Sequence, residues 1–470
     1  MGRSVTAPNV EAQVERSWRH AASGRMAGVA WKNGALIHTL ADAGRRASHE
    51  AAYAIGSGNH GKSYLIRVGD SLFQSPLAWY AEHRSWDFSP GYGENPAPDF
   101  YRPVTMECLF CHAGDARAIR GSQNRYLDPP FAAAAIGCAR CHGDPSRHLA
   151  EPRPGTILNP AKLPPVFRDS VCESCHLSGE ARVLNPGRQF SDFRPGMILE
   201  EVFSVYVPAK SAANRSLKVV SHSEQLAASA CATASERLWC GTCHDPHREP
   251  GESERPGWYR AKCLGCHGGE ATAQHQARRG DDCARCHMPR AKPYDGGHTA
   301  FTDHRIRRSP EKEAPSEAQE TLRAWREPPE PLRTRNLALA YLGSSQTSRS
   351  LWRYREGVRL INSIANAQAD GAVAVVVGLQ FMRQNEPVRA VSWLRRASLE
   401  EPENSLRHLT LAAALAGAGQ KDAAGREARE AIRLEPLLED AYTLLAEVEP
   451  EQAGYWKRQY AKLVPQRLPR

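Results

Sequence analysis

The sequence predicts a mainly α-helical chain with much irregular structure, in which a small β-rich segment and a C-terminal helical array flank a cysteine-rich domain. Three observations lead to this prediction. The first hundred residues alternate apolar and polar side chains, the middle repeats one five-residue unit, and the last third repeats every 34 residues. With 470 residues the chain is long enough for two or three domains. We expect segments at 1–105, 106–305, 306–330 and 331–470, the third being a charged linker.

The segment 1–105 is predicted to open with a short helix around Val10 to His20 and to continue as strands. Residues 63–80 alternate on both sides of Gly69-Asp70, which is a two-residue hairpin signal. We expect the aromatic residues that follow to form a β-meander packed over the first repeated unit, and an aromatic substrate pocket is the less favoured alternative. These residues are Trp79, Tyr80, Trp86, Phe88, Tyr92, Phe100 and Tyr101.

The central domain repeats the unit Cys-x-x-Cys-His six times, and the repeats use twelve of the thirteen cysteines. This unit is the attachment signature of c-type haem. Two thiols on one helical turn each form a thioether to a haem vinyl group, and the next residue supplies an imidazole to the iron. Structural zinc is the alternative, but zinc does not explain a His after every second Cys.

We therefore predict six covalently attached haems. The attachment residues are Cys108, Cys111, Cys138, Cys141, Cys172, Cys175, Cys240, Cys243, Cys263, Cys266, Cys283 and Cys286. The proximal iron ligands are His112, His142, His176, His244, His267 and His287. The remaining Cys231 is expected to be a buried thiol.

A six-coordinate haem needs a second axial ligand, for which His is the first candidate. Eleven histidines up to residue 304 lie outside the motifs, so the supply exceeds the need. The weaker alternatives are Met106, Met197 and Met288. The candidate distal ligands are His60, His148, His222, His247, His298 and His304.

Charge and hydropathy limit the partners. The formal charge of +9 falls to about +3 when six ferric haems with their propionates are counted at roughly −1 each, so nucleic-acid binding is not expected. No run approaches the ~18 apolar residues of a membrane helix, so no integral membrane segment is expected. The apolar run Met197 to Pro208 is predicted to be a strand or buried segment beside the haems.

The C-terminal segment shows the tetratricopeptide period. Glu-Pro pairs at 401–402 and 435–436 are 34 residues apart, as are Ala390 and Ala424, Ala397 and Ala431, and Gly378 and Ala412. We expect about three helix pairs, with a degenerate unit at 337–343 and an incomplete one from Glu439. An unrelated helical bundle is the alternative. Either array offers a docking face for another protein.

Several segments together resemble the tetratricopeptide-repeat multihaem cytochromes, whose haem domain is similar to that of the tetrahaem cytochromes accepting electrons from hydroxylamine oxidoreductase. The resemblance runs nearly end to end. It implies an exported electron-transfer protein and places distal ligands at His60, His148, His247 and His304. The segments are 55–65 (IGSGNHGKSYL), 89–93 (SPGYG), 107–112 (ECLFCH), 137–148 (GCARCHGDPSRH), 159–163 (NPAKL), 172–177 (CESCHL), 240–247 (CGTCHDPH), 283–289 (CARCHMP) and 302–306 (TDHRI).

Three functions fit these features. The favoured one is an electron carrier between redox protein partners in the periplasm or outside the cell, with the repeats docking a partner. The alternatives are an oxidoreductase acting on a small nitrogen or sulfur compound at a five-coordinate haem, and a redox-responsive assembly scaffold.

Met1 is followed by neither the charged region nor the apolar region of a signal peptide, although haem attachment requires export from the cytoplasm. The resemblance implies an upstream signal peptide and a seventh CxxCH before the segment 11–28. We therefore expect Met1 to be an internal start, while a shortened chain or an incomplete gene is the competing explanation.

Overall fold

The computed structural model describes residues 5–6, 15–42, 44–56, 58–209, 217–235, 237–268, 282–307, 321–364, 370–464 and 466–468. The chain folds into two compact units. The motif-rich unit comprises Ile136–Val183 and Ser191–Pro328, with five CxxCH motifs. The sandwich–array unit comprises Arg3–Ala135, Leu184–Phe190 and Pro329–Arg470, and it contains the motif at 108–112.

The N-terminal part of the sandwich–array unit is built from two antiparallel sheets. The inward residues of both sheets, such as Leu36, Leu40, Tyr64 and Trp86, form one hydrophobic core, so the sheets pack face to face as a sandwich. One sheet has the order β2-β3-β4-β5, formed by Arg16–Arg19, Met26–Lys32, Ala35–Asp42 and Arg45–Glu50. The other sheet has the order β1 (Val5–Thr6), β6 (Tyr53–Ile55), β7 (Gly61–Val68), β8 (Ser71–Tyr80) and β10 (Arg102–Pro103). Strand β9 (Ser85–Phe88) also pairs with β8.

The predicted hairpin at Gly69-Asp70 is confirmed. Strands β7 and β8 pair in a register that brings Val68 opposite Ser71, and Gly69 adopts a φ of +61°, a conformation that favours glycine. The aromatic residues after it form packing rather than a pocket, since Trp86, Phe88, Tyr92 and Phe100 are buried in the sandwich core. The β-meander is therefore confirmed, with its aromatic residues in the core between the two sheets, and their packing over the first motif stays a prediction.

The predicted helix around Val10 to His20 is wrong where the structure describes it. Arg16–Arg19 is strand β2, which pairs with β3 so that Trp18 lies opposite Ala27. Trp18 packs against the sandwich core, and sheet pairing overrides the local helical tendency. Residues 10–14 lie outside the described residues.

The first motif lies on α1 (Met106–His112), which packs on the second sheet. Leu109 of this helix is buried with Leu65, Leu72 and Tyr126. A short ribbon of β11 (Asp115–Ala118) and β12 (Tyr126–Ala133) follows.

The described part of the motif-rich unit consists of short helices and five short strands with long irregular connections. The strands β13 (Ala181–Leu184), β14 (Phe203–Pro208) and β17 (Leu322–Ala324) form one sheet, and β15 (Arg290–Ala291) pairs with β16 (Phe301–Thr302). The helices α2 to α9 are Ala139–His142, Ser146–Ala150, Pro165–His176, His222–Ala227, Ala230–Ala234, Cys240–Cys243, Arg255–Leu264 and Cys283–His287.

The apolar run Met197 to Pro208 is confirmed as a buried segment, because it contains β14 (Phe203–Pro208), whose six residues are all buried. Its partner β17 lies in the stretch predicted to be a linker, so the second half of that stretch is folded and not a free connection. Residues 308–320 lie outside the described residues.

The C-terminal part is a helical array, as predicted, and its described residues form four helix pairs rather than three. The unit from Glu439 is a complete pair, and the degenerate unit also folds as two helices. The pairs are α10 (Leu332–Ser348) with α11 (Leu351–Ile361), α12 (Gly371–Arg383) with α13 (Pro387–Glu400), α14 (Ser405–Gly417) with α15 (Lys421–Leu434), and α16 (Glu439–Val448) with α17 (Ala453–Leu463).

The 34-residue period is visible in the packing of this array. Helices α12, α14 and α16 start at Gly371, Ser405 and Glu439. A Cβ on Gly378 would lie 2.5 Å from Leu394, so a small residue is required where the two helices of the pair cross. The alanines that carry the period at 390, 397, 412, 424 and 431 are all buried. In the described part of the chain, no helix has the length and apolar character needed to cross a membrane.

Candidate functional site

Each CxxCH motif places its two cysteines on or beside one helical turn. The pairs at 108 and 111, 172 and 175, and 283 and 286 lie within α1, α4 and α9. All thirteen cysteines are free thiols, and none of them is buried. Two accessible thiols at this spacing meet the geometric need of thioether attachment. Cys231 was expected to be buried but is half-buried, with its thiol near those of Cys243 and Cys263.

Two motif histidines are oriented by backbone carbonyls. The Nδ1 of His142 lies 2.6 Å from the carbonyl oxygen of Leu158, and the Nδ1 of His287 lies 2.8 Å from that of Arg307. A ring that donates its Nδ1–H to a carbonyl keeps the Nε2 lone pair for a metal, and the hydrogen bond fixes the ring orientation. These contacts therefore suit proximal ligation.

Three motif histidines face a second histidine predicted to be a distal ligand. His142 lies 5.7 Å from His247 between ring centroids, with the ring planes 17° apart. His176 lies 5.1 Å from His222, and His244 lies 6.1 Å from His304. Imidazoles ligating one iron from opposite faces have centroids about 6 Å apart, since metal–imidazole bonds are about 2 Å long. The separations of His142 from His247 and of His244 from His304 are close to this value, whereas His176 and His222 lie closer together.

The second and third of these pairs adjoin, because His222 and His304 lie 4.8 Å apart. Burial lowers the pKa of His176 and of His304 below the ordinary value, so both rings are neutral at neutral pH. A neutral ring is the form that binds a metal. Protein atoms surround the ring of His176 on most sides, and part of its surface is exposed.

His304 is held by several contacts. Its backbone N–H donates to the Oε1 of Gln225 over 2.8 Å, and its Nδ1 lies 2.9 Å from the carbonyl oxygen of Thr302. The residues on either side of His304 form an ion pair, in which the buried Arg305 guanidinium donates to both carboxylate oxygens of Asp303. Burial alone would raise the pKa of Asp303, but this ion pair lowers it. The backbone at residues 303–305 is therefore fixed, and His304 with it.

The other predicted distal ligands occupy different surroundings. His148 lies on α3, with its Nδ1 2.8 Å from the Oγ1 of Thr156. His60 is exposed in a turn of the sandwich–array unit, and its carbonyl oxygen accepts the Ala81 N–H. His298 is exposed in a turn of the motif-rich unit. These three stay candidates on their sequence pattern.

A buried ionic cluster that the sequence analysis missed holds α4 and its motif. Glu173 accepts from the Nε1 of Trp325 over 2.9 Å and from the Nη2 of Arg326 over 2.6 Å. The Nε of Arg326 also donates to both oxygens of Glu200, at 3.2 and 3.1 Å. Burial raises the pKa of Glu200 despite this arginine. Spacing could not reveal the cluster, because its members lie up to 153 residues apart.

Within the described ranges, no group of three or more His, Cys, Asp or Glu side chains is arranged to hold a metal ion. The histidine rings form instead one pair, His142 with His247, and a row of four in the order His176, His222, His304 and His244.

No protein-family model matches the chain. No curated protein matches it either. A solved structure of MamA (MSR-1 C2) is 25% identical over 28% of this chain and 74% of that chain, with a TM-score of 0.23. The TPR2AB domain of yeast Sti1, in complex with an HSP90 peptide, is 14% identical over 28% of this chain and 64% of that chain, with a TM-score of 0.17.

The outer cell wall cytochrome OcwA is 12% identical over 84% of this chain and 88% of that chain, with a TM-score of 0.33. The chain is therefore similar over 28% of its length to structures that include a tetratricopeptide domain, and over 84% of its length to a cytochrome.

Proposed function

We propose that this chain is a multihaem c-type cytochrome that carries electrons between redox proteins outside the cytoplasm. The observation that carries the proposal is the repeated unit itself: six pairs of accessible thiols, each followed by a histidine, three of which face a second histidine. Bound haem supplies one-electron chemistry at each iron.

The contacts between rings suggest which distal ligand serves which motif. We assign His247 to the motif at 138–142, His222 to the motif at 172–176, and His304 to the motif at 240–244. Six-coordinate irons bind no substrate, and low-spin haems of this kind suit electron transfer. His60, His148 and His298 remain candidate ligands for the other three irons.

The residues around the motifs keep this arrangement rigid. The carbonyls of Leu158 and Arg307 orient the rings of His142 and His287, and the Glu173–Arg326 ion pair holds α4. Fixed ligands reduce the reorganisation that accompanies a change of charge at the iron. The helical array supplies a surface on which a protein partner docks.

Covalent haem content tests the proposal. The full chain is fused to an export signal and produced with haem-maturation machinery, and its mass and haem stain are measured. We expect six haems, and five in the Cys138→Ser/Cys141→Ser variant. A chain that matures without covalent haem would show the proposal to be wrong.

Electron paramagnetic resonance tests the ligand assignments. The variants His222→Ala, His247→Ala and His304→Ala should each convert one low-spin haem to high spin. His20→Ala is the matched control, since its Nδ1 and Nε2 contact the Ser23 hydroxyl and the Gly93 carbonyl at 2.8 and 2.9 Å. Unchanged spectra in all three test variants would refute the assignments. A high-spin iron that binds nitrite in the unaltered protein would favour the oxidoreductase instead.

A further inference from the structure

The second helices of the first two pairs carry an unusual exposed face. Leu351 on α11 and Val388 and Leu399 on α13 are 60%, 70% and 69% exposed. Exposed arginines lie between them at 355, 395 and 396, and within the described part of the chain none of the three forms an ion pair. We call these six residues the basic face.

The next repeat shows that this face is not a general property of the array. The positions of Val388, Arg396 and Leu399 are occupied 34 residues later by Asp422, Glu430 and Arg433. There Arg433 pairs with Glu430 over 2.6 Å, and Arg429 pairs with Glu449. Helix α15 therefore has a polar, charge-paired surface where α13 exposes apolar side chains and unpaired cations. Such a combination is typical of an interaction surface.

The outward surface of the first helices of the array carries apolar and acidic side chains, and it therefore complements the basic face. Successive first helices contact one another, so their outward stripes lie side by side. The stripe on α14 is apolar, with Leu406 38% exposed and Leu409 beside it. In the next repeat, the positions of Leu406 and Leu409 are occupied by Asp440 and Thr443 of α16. The same stripe continues with Glu447 on α16 and with Glu451 in the turn that follows this helix.

These acids are exposed, and within the described residues Asp440, Glu447 and Glu451 form no ion pair. The acidic face, defined as Leu406, Leu409, Asp440, Glu447 and Glu451, thus combines apolar side chains with unpaired anions. It carries the charge opposite to that of the basic face and the same apolar character.

We infer that the basic face of one chain docks on the acidic face of a second copy, so that the array mediates head-to-tail self-association. The apolar side chains of each face are covered by those of the other, while the arginines meet the carboxylates. Because the two faces belong to different helix layers of one array, the contact is heterologous and leaves one face of each kind free. Assemblies longer than a dimer are therefore expected.

Sedimentation velocity of the full haem-loaded chain tests the inference. At about 0.01 M salt, where the Debye length is roughly 30 Å, we expect species that grow with protein concentration. At about 1 M salt, where it is roughly 3 Å, the charge attraction is screened and the species should shrink.

Charge reversal identifies the faces. The variants Arg355→Glu/Arg395→Glu/Arg396→Glu and Asp440→Lys/Glu447→Lys/Glu451→Lys should each weaken self-association on the order of a hundredfold, because like charges would then face each other. The control Lys32→Glu/Arg45→Glu/Arg46→Glu changes the net charge as much as the first variant does, but on exposed strand residues of the sandwich. It should assemble normally. Circular dichroism and haem spectra verify that every variant is folded.

Mixing the two test variants gives the most specific result. One retains the acidic face and the other retains the basic face, and the two reversed faces are again opposite in charge, so the mixture should assemble although neither variant does so alone. A chain that stays monomeric at low salt, or test variants that assemble like the control, would overturn the inference. A monomer whose arginines instead bind phosphatidylglycerol vesicles would overturn it in favour of a lipid surface. Haem content is unaffected by these outcomes, so a failure here is distinct from a failure of the proposed function.

Discussion

The backbone N–H of His304 donates to the side chain of Gln225, and Gln225 stands one helical turn after His222. One short helix, α5, therefore carries a proposed iron ligand and positions another. The amide of Gln225 is itself fixed, since its Nε2 donates to the Ser221 hydroxyl over 2.7 Å.

We expect Gln225→Met to leave the His304 N–H without its acceptor and to lower the free energy of unfolding by about 1–3 kcal/mol. Urea unfolding measures this loss. The haem assigned to His304 should gain high-spin character because its ligand is less well held. Gln225→Glu, which keeps a side-chain acceptor, is the control, and equal effects from both substitutions would show that the hydrogen bond does not position His304.

Arg326→Met should strongly destabilise the motif-rich unit. It leaves Glu173 and Glu200 close together in a buried site without their cation, which typically costs about 3–5 kcal/mol. Thermal unfolding followed by haem absorbance measures the change. The triple variant Arg326→Met/Glu173→Gln/Glu200→Gln removes the uncompensated charges and should recover most of the stability. No recovery would mean that shape, rather than charge, is what Arg326 provides.

The stability of the sandwich should fall as pH decreases below about 6.5 because of His38. This ring is fully buried between the sheets, with its Nδ1 2.7 Å from the Ser75 hydroxyl, and burial lowers its pKa to about 3. The unfolded chain takes up a proton near pH 6.5, whereas the folded chain does so only near pH 3. Between these values the unfolded state binds more protons, so folding loses about 1.4 kcal/mol per pH unit.

Tryptophan fluorescence during urea unfolding measures this dependence, because Trp86 packs against His38 at 5.3 Å. The variant His38→Leu should lose this slope between pH 6.5 and 3 while retaining slopes from carboxylates. A slope that persists unchanged in His38→Leu would assign the acid sensitivity to other groups.

Two glycines of the helical array should respond to alanine with opposite signs. Gly378→Ala places a methyl group 2.5 Å from Leu394 and should destabilise the array by about 1–3 kcal/mol through overpacking. Gly343→Ala, in α10, meets nothing within 4 Å and should stabilise it by about 0.5–1 kcal/mol, since alanine favours the helix. Chemical unfolding of both variants measures the difference. Equal destabilisation would contradict the packing argument.

The structural features that depend on residues close together in the chain could be predicted from the sequence. The six motifs, the hairpin at Gly69-Asp70 and the 34-residue period each depend on residues close in the chain or on strict repetition. The spacing of the histidines gave the distal candidates but not their pairing, because the rings of His176 and His222 meet only after the chain has folded.

The errors arose where pairing with another strand decides the structure. Arg16–Arg19 is a strand because β3 pairs with it, and Leu322–Ala324 is a strand because β14 does. Neither stretch has an alternating pattern strong enough to predict this. Gln225 and Arg326 could not be identified for the same reason, since the groups that they contact are 79 and up to 156 residues away.

The order of synthesis determines when the cluster around Glu173 can form. Its partners Trp325 and Arg326 lie 152 and 153 residues nearer the C-terminus, so α4 emerges long before the side chains that close over it. During that interval Cys172 and Cys175 belong to an open chain that a haem-attaching enzyme can reach. Once Arg326 arrives, its ion pairs tie this segment into the folded unit. In the proposed cytochrome, haem attachment at Cys172 and Cys175 can therefore precede this closure.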